Sequence, residues 1–227
     1  YIEKCFDESL KIIRESYYRS YLINGPVSKK TFLNKKYLGI TEYLSKKTKS
    51  KNPVMLIYNE KLSVSPITTH IPLKQVSKNL SKRKIVSNVT NIDKFYKRMF
   101  NKKAKFAVLG LNPHCETVDK ISEEQKIINP AVKFMRSKGI KVKGPFSADT
   151  FFLKSNIKKY DIVIGMYHDQ VLTPIKTLFD FNAINLTLGL PFIRISPDHG
   201  PNEAMMGKNK SDPASFFYAM KFLNKIN

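Results

Sequence analysis

The sequence predicts an α/β protein whose strands form a largely parallel sheet. Two observations carry this. Short apolar runs rich in β-branched residues alternate with longer segments whose apolar residues recur at helical spacing, and Gly, Pro, Asn and Asp punctuate the changes between them. The 227 residues, 42% of them hydrophobic, suffice for one large domain or two small ones with a real core.

The elements follow in order. Ile2, Cys5, Phe6, Leu10 and Ile13 recur at helical spacing and predict an amphipathic first helix. Ser20-Tyr-Leu-Ile-Asn24 reads as a short strand and Gly25-Pro26 as a turn. Strands follow at Pro53-Val-Met-Leu-Ile-Tyr58 and over Leu62–Thr69, ending at His70. Residues 72–100 read as lysine-rich helix in two pieces, and Lys105-Phe-Ala-Val-Leu-Gly110 as a strand leading to Leu111-Asn-Pro-His114. Ser122-Glu-Glu-Gln125 fits a capping box, opening a helix that Gly139 would stop. After Gly144-Pro145 come the strand Asp161-Ile-Val-Ile-Gly165, a short helix near Pro174 and the strand Ala183–Leu188. Asp212-Pro213 reads as N-cap and first-turn proline of a last helix.

Composition excludes several classes. No run approaches the about 20 apolar residues of a membrane span, and no secretory signal opens the chain, so a cytoplasmic protein without a membrane partner is expected. Two cysteines, Cys5 and Cys115, are too few for a disulfide framework. The net charge of +22 suggests nucleic acid, but only six of the 40 basic residues are arginine, and the lysines are spread over every segment. Base readers lean on arginine's planar fork. The charge therefore reads as solvated surface that can gather an anionic substrate, with no nucleic-acid partner expected. A basic, catalytically dead binding protein is the competing reading, and it rests on the charge and on the missing N-terminal portion described below.

All four histidines follow apolar, strand-like runs. His70 follows "SPITT", His114 "FAVLGLNP", His168 "DIVIGMY" and His199 "PFIRISPD". Open α/β sheets bind ligands at the carboxyl ends of strands. One such histidine is ordinarily a loop residue bonded to backbone, but four in the same topological position point to a site. Three neutral imidazoles suit Zn²⁺ or a similar divalent ion with a position left open for substrate. Asp149, Asp169 and Asp198 lie close by in sequence as ligands, orienting partners, general bases or plain caps. Lys176 and Arg194 are anion handles, and Arg194 fits either a bound phosphate or carboxylate or a structural salt bridge.

The stretches "INGPVSKK", "ITEYL", "TTHIPL", "GLNPH", "GPFSADTFF", "YDIVIGMYHDQVLTPIK", "INLTLGLPFIR" and "DHG" run in an order that resembles the 4-hydroxythreonine-4-phosphate dehydrogenase (PdxA) family over nearly the whole chain. The resemblance implies a two-domain architecture like isocitrate and isopropylmalate dehydrogenases. Residues 31–199 would form the metal- and substrate-binding domain, with 1–30 and 200–227 a remnant of the cofactor-side domain. It implies a divalent metal (Zn, Mg or Co) on His70, His114 and His168, substrate contacts from Thr41, Lys176, Asn185 and Arg194, and catalytic roles for Asp149 and Lys176. It implies NAD-dependent oxidation of 4-phosphooxy-L-threonine followed by decarboxylation, in pyridoxal phosphate (vitamin B6) synthesis, by a homodimer with a shared active site. No G-x-G-x-x-G is present, so the stretch from His199 to Asn209, with His199, Gly200, Gly207 and Asn209, is assigned to the adenine side of NAD.

Three departures matter. Ile40-Thr41 replaces the family's His-Thr, which admits a sister dehydrogenase of phosphorylated threonate or erythronate. Cys115-Glu-Thr-Val-Asp-Lys120 replaces a glycine-rich stretch. The family's N-terminal portion, roughly a third of its usual length, is expected to be missing, which admits an inactive fragment.

Overall fold

The computed structural model describes residues 1–18, 20–28, 32–33, 37, 39–116, 122–201 and 203–226. Lys29 and Lys30 of "INGPVSKK", residues 117–120 of the departure after His114, and Asn202 in the expected adenine stretch lie outside them. The chain divides into two units, one of residues 1–55 with 181–227 and one of residues 56–180. The changeovers thus fall at 55/56 and 180/181, where the sequence reading drew 30/31 and 199/200.

In the first unit, α1 (Ile2–Glu15) is followed by β1 (Tyr21–Ile23) and α2 (Ile40–Lys47). Gly25-Pro26, read as a turn, continues without one. From the far end of the chain come β7 (Ile184–Leu188), β8 (Ile193–Pro197) and α6 (Ala214–Ile226). β8 lies between β1, which is parallel to it, and β7, which is antiparallel. The sequence dictates the packing. The apolar stripe of α1 buries Phe6 and Leu10 against Tyr43 and Leu44 of α2, together with Leu22, Leu33, Ile40 and Phe192. Phe6, Phe32 and Tyr43 pack ring to ring, with centroids 5.1–5.6 Å apart. Asp212 Oδ1 accepts from Ala214 N at 2.8 Å, the cap expected for α6.

The second unit orders its strands β2 (Val54–Tyr58, which begins at the changeover), β3 (Ser63–Thr68), β6 (Ile162–Tyr167), β4 (Lys105–Leu109) and β5 (Lys141–Phe146). β2 and β3 are antiparallel and the remaining pairs are parallel. β6 is buried from Ile162 to Met166, as a central parallel strand covered on both faces must be. Helices α3 (Lys82–Phe100), α4 (Asn129–Ser137) and α5 (His168–Phe179) pack on these strands. Ser81 caps α3 through Lys84 N, and Asn101 closes it in the left-handed conformation. Ser122 Oγ accepts from Gln125 N at 3.3 Å, as the capping box predicts, but the turn it opens, Glu124–Ile128, is π-helical.

Two elements depart from the sequence reading. β5 was not expected, because Gly144-Pro145 reads as punctuation. On an edge strand a proline costs little, since its missing N–H faces no partner. α5 starts directly at His168 and runs through Pro174 for 12 residues, longer than the short helix foreseen. Among the described residues, no helix is long and apolar enough to cross a membrane.

Candidate active site

β3, β6 and β4 are parallel neighbours, so their carboxyl ends share one edge of the second unit. His70 stands two residues beyond β3, His168 directly follows β6, and His114 stands five residues beyond β4. The rings of His70 and His168 lie 5.9 Å apart between centroids. His168 Nδ1 is 2.6 Å from Asp169 Oδ1. An ionised carboxylate only accepts, so Nδ1 is the donor in this bond and Nε2 is the ring nitrogen left for another partner. His114 is exposed, takes a left-handed backbone at φ 54°, and brings Nδ1 to 3.9 Å from Asp149 Oδ2. The structure therefore pairs His70 with His168 and His114 with Asp149. Among the described residues, no three His, Cys, Asp or Glu side chains gather where one ion could be held. In kind, imidazoles are donors a divalent ion takes, and these three stand beyond three adjacent strand ends without being gathered round one point.

Polar side chains tie these strand ends together. Thr68 Oγ1 donates to Met166 O at 2.7 Å. Gln170, buried in the first turn of α5, accepts from Met166 N at 2.6 Å and donates to Gly110 O at 2.7 Å. Glu124, only 2% exposed, accepts from Leu111 N at 2.7 Å and from Asn112 N and Asn112 Nδ2, both at 2.9 Å. Burial works to raise the Glu124 carboxyl, but the bonds from Asn112 and Leu111 outweigh it and hold the group below its ordinary value. The sequence reading missed Glu124, whose only visible signal is a capping-box pattern.

The expected substrate residues Thr41, Asn185 and Arg194 fall in the first unit. Arg194 sits opposite Thr187 across the β7–β8 pair, and Asn185 opposite Ser196, so all four share one sheet face. Arg194 is 5% exposed. Its Nε donates to Asn24 Oδ1 at 2.6 Å and its Nη1 to Thr187 Oγ1 at 3.3 Å, and Thr187 Oγ1 lies 3.3 Å from Thr41 Oγ1 in the first turn of α2. Burial pulls the guanidinium down to about 10, against the opposing field of Glu42, so it stays charged at neutral pH. Of the two readings of Arg194, the visible partners are neutral acceptors, with a carboxylate acting through its field. A buried cation held this way favours an incoming anion. Asn185 Oδ1 is buried with no hydrogen-bond partner among the described residues, a further polar atom for a ligand. Lys176, half-buried on α5, belongs to the second unit. Asn24 and Thr187 were not foreseen as contacts, because their roles come from strand register.

His199 and Gly200, just past β8, line a cavity of about 640 Å³ with Phe181, Glu203, Lys210 and Asp212. Phe181 meets the His199 ring edge to face at 6.4 Å. Gly207 and Asn209 lie in the following turn with left-handed backbones, outside the described lining. An apolar ring beside a few charged groups is an ordinary setting for a flat heterocycle.

Known proteins resemble this chain along almost all of its length. It is 46% identical to 4-hydroxythreonine-4-phosphate dehydrogenase of Sulfurihydrogenibium sp. over 88% of the chain and 63% of that protein. It is 36% identical to D-threonate 4-phosphate dehydrogenase of Pectobacterium atrosepticum over 84% of the chain and 59% of that protein. The crystal structure of 4-hydroxythreonine-4-phosphate dehydrogenase from Klebsiella pneumoniae superposes with a TM-score of 0.83 at 33% identity, covering 99% of this chain and 70% of that one. The chain thus spans less than two thirds of the length of these two curated relatives. The family described as "Pyridoxal phosphate biosynthetic protein PdxA" matches residues 1–223, and the chain belongs to that family.

Proposed function

We propose that the chain is the greater part of an NAD-dependent dehydrogenase that oxidises 4-phosphooxy-L-threonine and releases CO₂ to leave 3-amino-2-oxopropyl phosphate, in the synthesis of pyridoxal phosphate. The observation that carries the reading is the set of three histidines at the ends of three adjacent parallel strands, in a chain with a buried arginine among neutral acceptors. His70, His114 and His168 would hold a divalent ion, which supplies Lewis acidity, while the nicotinamide supplies a hydride acceptor. Arg194, Asn185 and Thr41 bind an anionic group of the substrate, with the guanidinium as the charged donor. Lys176 contributes a second cation. Asp149, exposed beside His114, takes the proton of the substrate hydroxyl. The β-keto acid left after hydride removal loses CO₂. His199 and Gly200 receive the adenine in the cavity past β8. The enzyme works in the cytoplasm as a homodimer.

One observation favours a second substrate. Ile40, where the family carries a histidine, is buried in the apolar cluster of the first unit and offers no polar group beside Thr41. A substrate with a hydroxyl in place of the amino group, such as D-threonate 4-phosphate, fits that loss.

The test is metal content of the purified chain and of His114→Ala, with NADH production measured from both substrates. The expected result is one equivalent of metal, lost in the variant, with turnover in the parent chain. Faster turnover of D-threonate 4-phosphate selects the second substrate, and a chain that binds no metal overturns the mechanism.

A further inference from the structure

Arg194 is almost wholly buried, and the groups that accept its hydrogen bonds are uncharged. Its Nε donates to Asn24 Oδ1 at 2.6 Å and its Nη1 to Thr187 Oγ1 at 3.3 Å, while Glu42 acts on it through its field. A buried guanidinium is ordinarily paired with a carboxylate, because the charge-assisted bond is the stronger one and offsets the lost hydration. A sheet face that stops at neutral acceptors keeps that desolvation cost and leaves positive charge unmet. The same face carries Asn185, whose Oδ1 is buried with no hydrogen-bond partner among the described residues. Both observations call for a ligand on that face.

The backbone fixes Asn24 beside the arginine. Leu22 of β1 stands opposite Arg194 of β8, so Asn24, two residues on, lies on the same side of the sheet. Its N–H donates to Ile195 O at 3.1 Å, which carries the pairing one residue past β1. The side-chain amide is oriented from both ends. Nδ2 donates to Gly25 O at 2.8 Å, and Oδ1 is thereby turned to Arg194 Nε. An aspartate in this place would give up the exposed bond to Gly25 and gain a charge-assisted bond to Arg194. The second is the stronger, so stability alone would favour the carboxylate.

We infer that Asn24 is a positioning residue for the anion-binding arginine: its neutral amide anchors Arg194 by Nε and leaves the guanidinium charge for the anionic oxygens of the substrate. This rests on the reading of Arg194 as the residue that holds the substrate's anionic group. Asn24 acts through the arginine. A carboxylate at residue 24 would occupy the guanidinium and repel the ligand, so stability is given up here for affinity.

The test is calorimetric titration of the full chain with 4-phosphooxy-L-threonine and with D-threonate 4-phosphate, with the thermal midpoint read for each variant. Asn24→Asp keeps an acceptor in place and adds the charge. It should melt at or above the parent chain, yet bind the tighter of the two ligands about 10-fold or more weakly. A merely structural role predicts a better-held arginine and unchanged affinity. Asn24→Asp that binds as tightly as the parent therefore overturns the inference, and it leaves the reading of Arg194 standing where Arg194→Leu binds more weakly. A parent chain that binds neither ligand, or Arg194→Leu that binds as tightly as the parent, overturns the reading of Arg194 and the inference with it. If Asn24→Asp melts lower or does not fold, Asn24→Ala decides, since it removes the anchor and adds no charge. Binding about 3-fold or more weaker then upholds the inference, and parental affinity overturns it.

Discussion

Glu124 is where one residue does most to shape the second unit. Its carboxylate is almost wholly buried and satisfied by three N–H donors from Leu111 and Asn112. Those bonds hold it below its ordinary value of 4.5. A carboxyl lowered by folding lends stability that is complete above 4.5 and is lost as pH falls through the lower folded value. Glu124→Gln keeps the volume but gives up the charge-assisted bonds, and should lower the unfolding free energy at neutral pH by about 1.5–3 kcal/mol. Urea titrations of parent and variant should show that gap at about pH 7 and see it narrow below about pH 4; a gap constant with pH would mean that the charge contributes nothing. Glu124 also marks the limit of reading the site from sequence. The histidines were legible because they are few and each follows an apolar run. Glu124, Asn24 and Thr187 were not, because a common polar residue acquires a role only when register brings a distant N–H to it. The pairing of Thr187 with Arg194 follows from the antiparallel register of two strands, and the bond from Arg194 to Asn24 joins residues 170 positions apart.

At the scale of elements, the strands with continuous apolar runs were legible, since burial on both faces leaves one kind of sequence for β4 and β6. The first helix was legible from its apolar stripe, and α3 lies within the lysine-rich stretch 72–100 that reads as helix in two pieces. β5 was hidden by chemistry that ordinarily ends a strand. Gly144, at φ +137° within it, lies against β4 where the register shifts between Ala107 and Leu109. A Cβ there would meet Val108 O at 2.3 Å, a backbone atom that cannot turn aside. Gly144→Ala should therefore cost about 2–4 kcal/mol, from the clash and from a backbone angle alanine resists. The measurement is the denaturation midpoint at unchanged slope. A shift worth less than about 0.5 kcal/mol would mean the edge strand relaxes freely. The boundaries of the units were hidden for a different reason. β1 joins β8 from the other end of the chain, a pairing that no local pattern announces.

At the scale of the whole molecule the dominant quantity is charge. Forty basic residues face 18 acidic ones, so a net +22 remains however the acids are paired. Among the described residues several acids pair with lysines: Glu8 with Lys11, Asp7 and Glu3 with Lys47, Asp93 with Lys97, and Asp161 with Lys102. A field of this sign draws in anions, and both the proposed substrate and NAD carry phosphate. The buried Arg194 adds a local cation that solvent screens poorly, while the surface lysines are screened within about 10 Å at 0.1 M salt. The two contributions separate by ionic strength. Raising salt from about 0.02 to 0.3 M should weaken binding of the phosphorylated hydroxy acid about 5- to 10-fold, through the lysines alone. Arg194→Leu should weaken it further at both salt levels by a similar factor, because that charge acts at contact distance. Calorimetric titration over the salt series distinguishes the cases. Affinity that does not change with salt assigns the lysines to solubility and leaves Arg194 to hold the anion. A salt dependence that vanishes in Arg194→Leu would instead mean that the steering field and the binding charge are one group.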